Sequence, residues 1–297
     1  GDITSKEGFA LICLKILTGY KEFDSVINGF KPGWLVVLAA RPKTGKSRTM
    51  INLVANMIKQ GTNVIAFTLE MPKEQYVNLF FSCMTGIPYY KFEERILTES
   101  ELAQVKELQS RLTTEYGKLI IVDTLKGVSP DYIAVKTEEM EIQFGTTFDV
   151  IAIDHATMMK PNRSMDNDWL AQGSIAEDLR SIGREMNKVV LTALQVKRGE
   201  KTKKSGNTGS DPGGDLSRSD IWYQTLDVLI VIQKPEGDDE TSVLSTLKFK
   251  IISRYSEPQT VELVKDFNIT SLYSIADSSL EKGIVSLWHK AGSGDES

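Results

Sequence analysis

A chain of 297 residues has room for one large α/β domain or for two units of about 150 residues each. Its 41% hydrophobic and 25% charged content is that of a globular protein, and no apolar run reaches the roughly 18 residues a bilayer span needs, so no membrane partner is expected. A net charge of −5 argues against a broad basic surface while leaving room for a small basic channel, and two histidines with two cysteines leave almost nothing for a Cys/His zinc site.

In chain order, residues 6–17 read as a short, mostly apolar helix, and no small-residue cleavage site follows it to suggest a signal peptide. Cys13 lies within it and Cys83 in a later apolar stretch; both read as buried free thiols of a reducing compartment. Gly29 and Pro32-Gly33 mark a turn. Residues 34–39 form a continuous apolar run of strand length, as expected where both faces of a strand are covered. A loop over 40–45 leads into a helix over 46–59, with Met50, Leu53, Val54, Met57 and Ile58 at helical spacing and Gly61 to end it. Residues 64–69 are a second buried strand, and Pro72 opens the next helix. Residues 119–122, 150–153 and 189–194 repeat the strand pattern, each separated from the last by helical sequence. Strands alternating with helices predict a mainly parallel sheet with right-handed crossovers.

After Leu194 the character changes. Residues 197–219 hold Lys197, Arg198, Lys201, Lys203, Lys204 and Arg218 among glycines and little apolar content, the composition of a long functional loop. Residues 228–232 are a sixth strand. Three alternating segments, 244–252, 260–266 and 269–274, predict antiparallel strands or hairpins. Residues 279–297 become polar and read as a tail.

The strongest chemical signal is Ala40-Arg41-Pro42-Lys43-Thr44-Gly45-Lys46-Ser47, between a buried strand and a helix. Main-chain N–H groups of such a loop nest phosphates, and the helix amino end adds positive potential. This predicts ATP and Mg²⁺ as ligands, with Lys46 reaching the β- and γ-phosphates, Ser47 holding the metal and Arg48 following in the first turn. Ala40 replaces the usual first glycine. Asp154, closing the apolar strand 150–153, is the second candidate metal ligand, or else a helix-capping acid; its neighbour His155 reads as a packed residue. Glu70, at the end of the second strand, is either the carboxylate that polarises an attacking water or a surface acid before Met71-Pro72. Gln195, at the end of the fifth strand, is either a γ-phosphate sensor or a plain surface amide.

Taken together these residues resemble the ATPase domain of DnaB-type replicative DNA helicases, phage- or plasmid-type versions included. The resemblance runs in order through Thr18-Gly19, Phe23-Asp24, Gly29 to Gly33, Ala39 to Ser47, Thr68-Leu69-Glu70-Met71, Asp123-Thr124, Ile153-Asp154, Gln195, Asp215-Leu216, Ser219, Gln224 and Asp227-Val228. It implies a RecA-like P-loop NTPase: an α/β fold whose central, mainly parallel sheet is flanked by helices and followed by antiparallel strands. A linker helix would occupy 1–18, the motor domain 19–278 and a tail 279–297. It implies that Glu70 is catalytic, Asp154 the Mg²⁺-side acid, Gln195 the γ-phosphate sensor, and Arg254 an arginine supplied to the adjacent subunit's site. The family lysine two residues before that arginine is Ile252 here, so Lys250, one strand repeat earlier, is the candidate replacement. Lys197, Arg198, Lys201, Lys203 and Lys204 would line a ring channel and grip the backbone of single-stranded DNA.

The implied function is an ATP-driven helicase ring, read as a hexamer, in the cytoplasm of a bacterium or phage-infected host, with primase and loader as further partners. The family usually carries a separate N-terminal helical domain, so either that domain was removed or this is a compact version. The alternative function is a RecA-like ATPase that loads, assembles or binds strands without unwinding.

Overall fold

The computed structural model describes residues 15–124, 126–165, 167–196, 220–234 and 244–275. The linker helix over 6–14 with Cys13, the basic loop with Lys197, Arg198, Lys201, Lys203 and Lys204, the Asp215-Leu216 and Ser219 positions, and the tail lie outside the described residues.

In chain order the elements are α1 (Lys21–Ile27), β1 (Leu35–Ala40), α2 (Lys46–Lys59), β2 (Val64–Thr68), α3 (Lys73–Thr85), α4 (Tyr89–Glu93), α5 (Glu99–Thr114), β3 (Leu119–Asp123), α6 (Pro130–Phe144) and β4 (Val150–Asp154). A 3₁₀ turn (Ala156–Met158) precedes α7 (Asp168–Glu185), β5 (Val189–Gln195), α8 (Asp220–Thr225), β6 (Val228–Gln233), β7 (Leu244–Ser253), β8 (Ser256–Asp266) and β9 (Ser271–Ser274). Among the described residues one sheet of nine strands runs in the order β3-β2-β4-β5-β1-β6-β7-β8-β9. The strands from β3 to β6 are parallel, and β7, β8 and β9 are antiparallel additions. This is the α/β architecture the strand and helix alternation predicts.

The uninterrupted apolar runs follow from burial on both faces. Val36, Leu38 and Ala40 face one core with α2, α3 and the late strands, while Leu35, Val37 and Ala39 face the other with α6 and α7. Successive side chains of a strand point to opposite sides, so each run feeds two cores at once. Helix α2 is apolar nearly all round because it lies in the first of these cores: Met50, Ile51, Leu53, Val54, Ala55, Met57 and Ile58 are buried. Cys83 of α3 is a free thiol packed against the same core, and burial pushes its pKa up to about 11.

Two local readings change. The predicted helix does not reach Leu17, because Ile16 is already extended and bridged antiparallel to Phe30. The stretch before Gly29 contains α1, seven residues whose apolar content is too short to show helical periodicity. Its position is set by Asp24, whose carboxylate accepts the Thr18 amide at 2.9 Å and the Gly19 amide at 3.2 Å. Phe23 is wholly buried and packs edge-on to Phe249 at 5.1 Å between ring centres.

Candidate nucleotide site

The parallel strands direct their carboxyl ends to one edge, and chemistry-bearing residues follow each end. Register places Ala40 beside Gln195 and Thr68 beside Asp154. The chain leaves β1 for β2, past β5 and β4, and later returns to β6 on the other side of β1; crevices of this kind hold ligands in open α/β sheets.

The loop after β1 behaves as its composition predicts, with one clarification. Ala40 is the last residue of β1, in extended backbone, so no glycine is required there. Left-handed backbone falls instead at Lys43 (φ 60°) and Gly45 (φ 96°). Gly45 is needed twice over: a side chain would suffer at that φ, and an added Cβ would lie 2.4 Å from the ring of Phe267. Its carbonyl opens α2 by accepting the Thr49 amide at 2.8 Å. Arg41, Pro42 and Lys43 are exposed, Thr44 is buried, and Lys46, Ser47 and Arg48 are half-buried in the first turn.

Beneath this loop lies Asp154, 2% exposed, with neither carboxylate oxygen hydrogen-bonded. The Lys46 ammonium stands 3.9 Å from it. Burial lowers the Lys46 pKa from its ordinary value, and the Asp154 and Glu70 carboxylates pull it back up. A buried carboxylate without donors is costly unless a cation satisfies it. The hydroxyl of Ser47 and the carboxylate of Asp154 are hard oxygen donors of the kind Mg²⁺ takes, so the residues present fit that ion.

Glu70 sits two residues beyond β2, half exposed, and its carboxylate is 3.1 Å from His155 Nε2. His155 is 1% exposed, and its Nδ1 meets the Thr157 hydroxyl. Burial first, then the nearby Lys46 charge, lower the imidazole pKa, with Asp154 and Glu70 opposing. The packed histidine expected from the sequence is therefore also a neighbour of the candidate base. Asp123 lies at the end of β3 and accepts the Lys73 amide at 3.1 Å, which anchors the start of α3 behind Glu70. On β5, Gln195 is exposed, and the following Val196 amide donates to the Ala40 carbonyl at 3.0 Å, which holds Gln195 against the phosphate loop.

One contributor was not legible in the sequence. The turn after β8 brings Phe267 over Gly45, and Arg48 both stacks on that ring at 4.9 Å and donates to the Phe267 carbonyl at 3.1 Å. No local signal links residues more than 200 positions apart.

Arg254 is not brought to this edge. Ser253 pairs with Val228 at the amino end of β6, so Arg254 lies in the turn between β7 and β8, at the opposite end of the sheet. A role for it in its own chain's phosphate site is excluded by that placement. Lys250 is within β7, opposite Val231 and Thr260, and the register shifts between Ile251 and Ser253. The period-two argument linking Lys250 to Arg254 therefore fails.

Residues 15–268 match the family described as DnaB-like helicase C terminal domain. The replicative DNA helicase DnaC of Bacillus subtilis (strain 168) is 27% identical over 263 residues, 85% of this chain and 55% of that protein. The replicative DNA helicase DnaB of Helicobacter pylori (strain J99 / ATCC 700824) is 26% identical over 183 residues, 62% of this chain and 37% of that protein. The chain thus spans about half the length, or less, of the curated relatives it matches. Among solved structures, the ATPase domain of a phage helicase superposes with a TM-score of 0.76 at 21% identity, covering 92% of this chain and 96% of that one. A DnaB-like replicative helicase, described with its interactions with primase, gives 0.75 at 19% identity, covering 92% and 68%. These two likenesses establish a shared fold.

Proposed function

This chain belongs to the DnaB-like helicase C-terminal domain family, and from that membership we propose that it is an ATP-driven ring motor that translocates on single-stranded DNA and unwinds duplex during replication. The observation that carries the chemistry is the buried Asp154 carboxylate, without a hydrogen bond and 3.9 Å from Lys46 beneath the phosphate loop. Amides of the 41–46 loop would cradle the phosphates while Lys46 meets the β- and γ-phosphate oxygens. Ser47 and Asp154 would hold Mg²⁺, which neutralises phosphate charge when bound. Glu70 would orient and deprotonate the attacking water, with His155 beside it, and Gln195 would contact the γ-phosphate. Arg254, at the far end of the sheet, would serve the site of an adjoining copy. Lys197, Arg198, Lys201, Lys203 and Lys204 follow β5 in sequence, so a loop bearing them is tied to the Gln195 end of the sheet. We read the ring as a hexamer acting in the cytoplasm, with primase and a loader as partners.

The test is ATP turnover with and without single-stranded DNA, together with strand displacement from a forked substrate. Stimulation and displacement are expected, and neutralising Lys201, Lys203 and Lys204 together should weaken DNA binding and flatten its salt dependence. ATP turnover indifferent to DNA, with no displacement, would assign the chain to the loading or assembly class instead.

A further inference from the structure

The amino end of the sheet, away from the phosphate loop, carries a second cluster that the chemistry above leaves unused. Arg254 is held there by its own main chain: Nε donates to the Leu226 carbonyl at 2.7 Å and Nη2 to the Gln224 carbonyl. Its Nη1 has no partner among the described residues. The next residue, Tyr255, is 61% exposed yet lies flat on the Trp34 indole, with 4.8 Å between ring centres and 5° between planes. The Lys31 ammonium sits over both rings, 5.4 Å from the indole and 5.8 Å from the phenol. The Tyr255 hydroxyl is 3.4 Å from Asp227, whose carboxylate also takes the Leu35 amide and Arg180. A solvent-facing turn is thus fixed by main chain, by carboxylate and by stacking.

Three features give this cluster a direction. Lys31 is an exposed lysine that rests on two aromatic faces rather than on a carboxylate among the described residues. Such seating costs little desolvation and leaves the ammonium charge available. The strand leading into the turn offers no second cation nearby, since Ile252 packs its side chain into the α6/α7 core. Arg184, whose side chain lies 3.5 Å from where a Cβ on Gly33 would be, adds to the positive character of this end. The opposite end presents Glu70, Asp123 and Asp154 and the site for nucleotide phosphates, so successive copies meeting heterologously would bring opposite charges together.

We propose that Lys31 is a second trans-acting cation. The Trp34–Tyr255 stack seats it beside Arg254, so that both are presented to the phosphates of the nucleotide bound by an adjoining copy. Trp34 and Tyr255 are then positioning residues. The proposal rests on Arg254 acting in trans and extends that reading to a residue 223 positions earlier in the chain.

The test uses the full chain, with ring mass by light scattering beside DNA-stimulated ATP turnover. Lys31→Gln, a surface change that keeps most of the side-chain stem, should lower kcat at least about tenfold. KM for ATP should stay within about twofold, with ring mass unchanged. Lys31→Arg should recover most of the loss. Tyr255→Phe, which keeps the stack, should act like the parent, and Tyr255→Ala like Lys31→Gln. Mixing Lys31→Gln with Lys46→Ala chains should restore turnover, because some interfaces then join an intact phosphate loop to an intact Lys31. Normal turnover by Lys31→Gln beside an inactive Arg254→Ala would overturn the proposal and leave the Arg254 reading standing, as would loss of ring mass without loss of turnover per ring. Normal turnover by Arg254→Ala would remove both.

Discussion

At the residue scale, function in this chain depends on a few charges that the fold keeps from being satisfied. Asp154 has no hydrogen-bond donor and Lys46 is largely buried at 3.9 Å from it, so each is poised for a third charged group. Lys46→Ala should abolish tight ATP binding, since the phosphates lose the loop's mobile cation; calorimetry showing unchanged nucleotide affinity would disprove the assignment. Glu70 stands apart, half exposed, in contact with His155 and not with Lys46. Glu70→Gln should therefore keep ATP affinity while losing most turnover, because an amide cannot take a proton from water. Turnover near that of the parent would move the base elsewhere. Both expectations start from sequence positions just beyond apolar strands, where the motif residues were readable. The His155 contact was not readable, because Glu70 and His155 meet only through the β2–β4 pairing.

At the element scale, the same sheet makes one end reactive and the other structural. Asp227, 1% exposed, precedes β6 and accepts the Leu35 amide at 3.0 Å and Arg180 at 2.9 Å, which ties β1, α7 and β6 together. It belongs to the residues that carry the family resemblance, yet its surroundings give it a scaffolding task. Removing it strands a buried N–H and part of an ion pair. Asp227→Ala should cost about 2–3 kcal/mol in chemical unfolding. Asp227→Asn should cost less, because the amide oxygen can still accept from Leu35. Equal unfolding midpoints for the parent and Asp227→Ala would show that the network contributes nothing. Strand and helix order was legible here from apolar runs and turn residues. Helix α1 was not, since its seven residues are positioned by Asp24 and by burial of Phe23 against a distant strand.

At the scale of the whole molecule, the two ends of the sheet demand a second copy. The phosphate loop, Asp154, Glu70 and Gln195 gather at the carboxyl ends, while Arg254 stands in the β7–β8 turn at the amino end. An arginine acting in catalysis from there acts on a neighbour. Arg254→Ala should leave ATP affinity within a few-fold and cut turnover by about 10³ or more. Mixed with Glu70→Gln chains, it should regain measurable turnover, since some interfaces then contain both residues intact. Persistent inactivity in rings shown to be mixed would argue against an interfacial site.

Sequence alone determined what is local. Apolar runs set the strands, spacing set helix α2, and the phosphate loop declared itself between them, because each depends on residues a few positions apart. The carboxylates and the amide after the strands followed from strand ends converging on one edge. Only the tertiary structure decided which distant groups meet: Phe267 on Gly45, His155 on Glu70, and Lys31 on the stack of Trp34 and Tyr255. It also moved Arg254 from a strand face to a turn and removed Lys250 as its companion, because a register shift breaks the alternation that a sequence reading must assume.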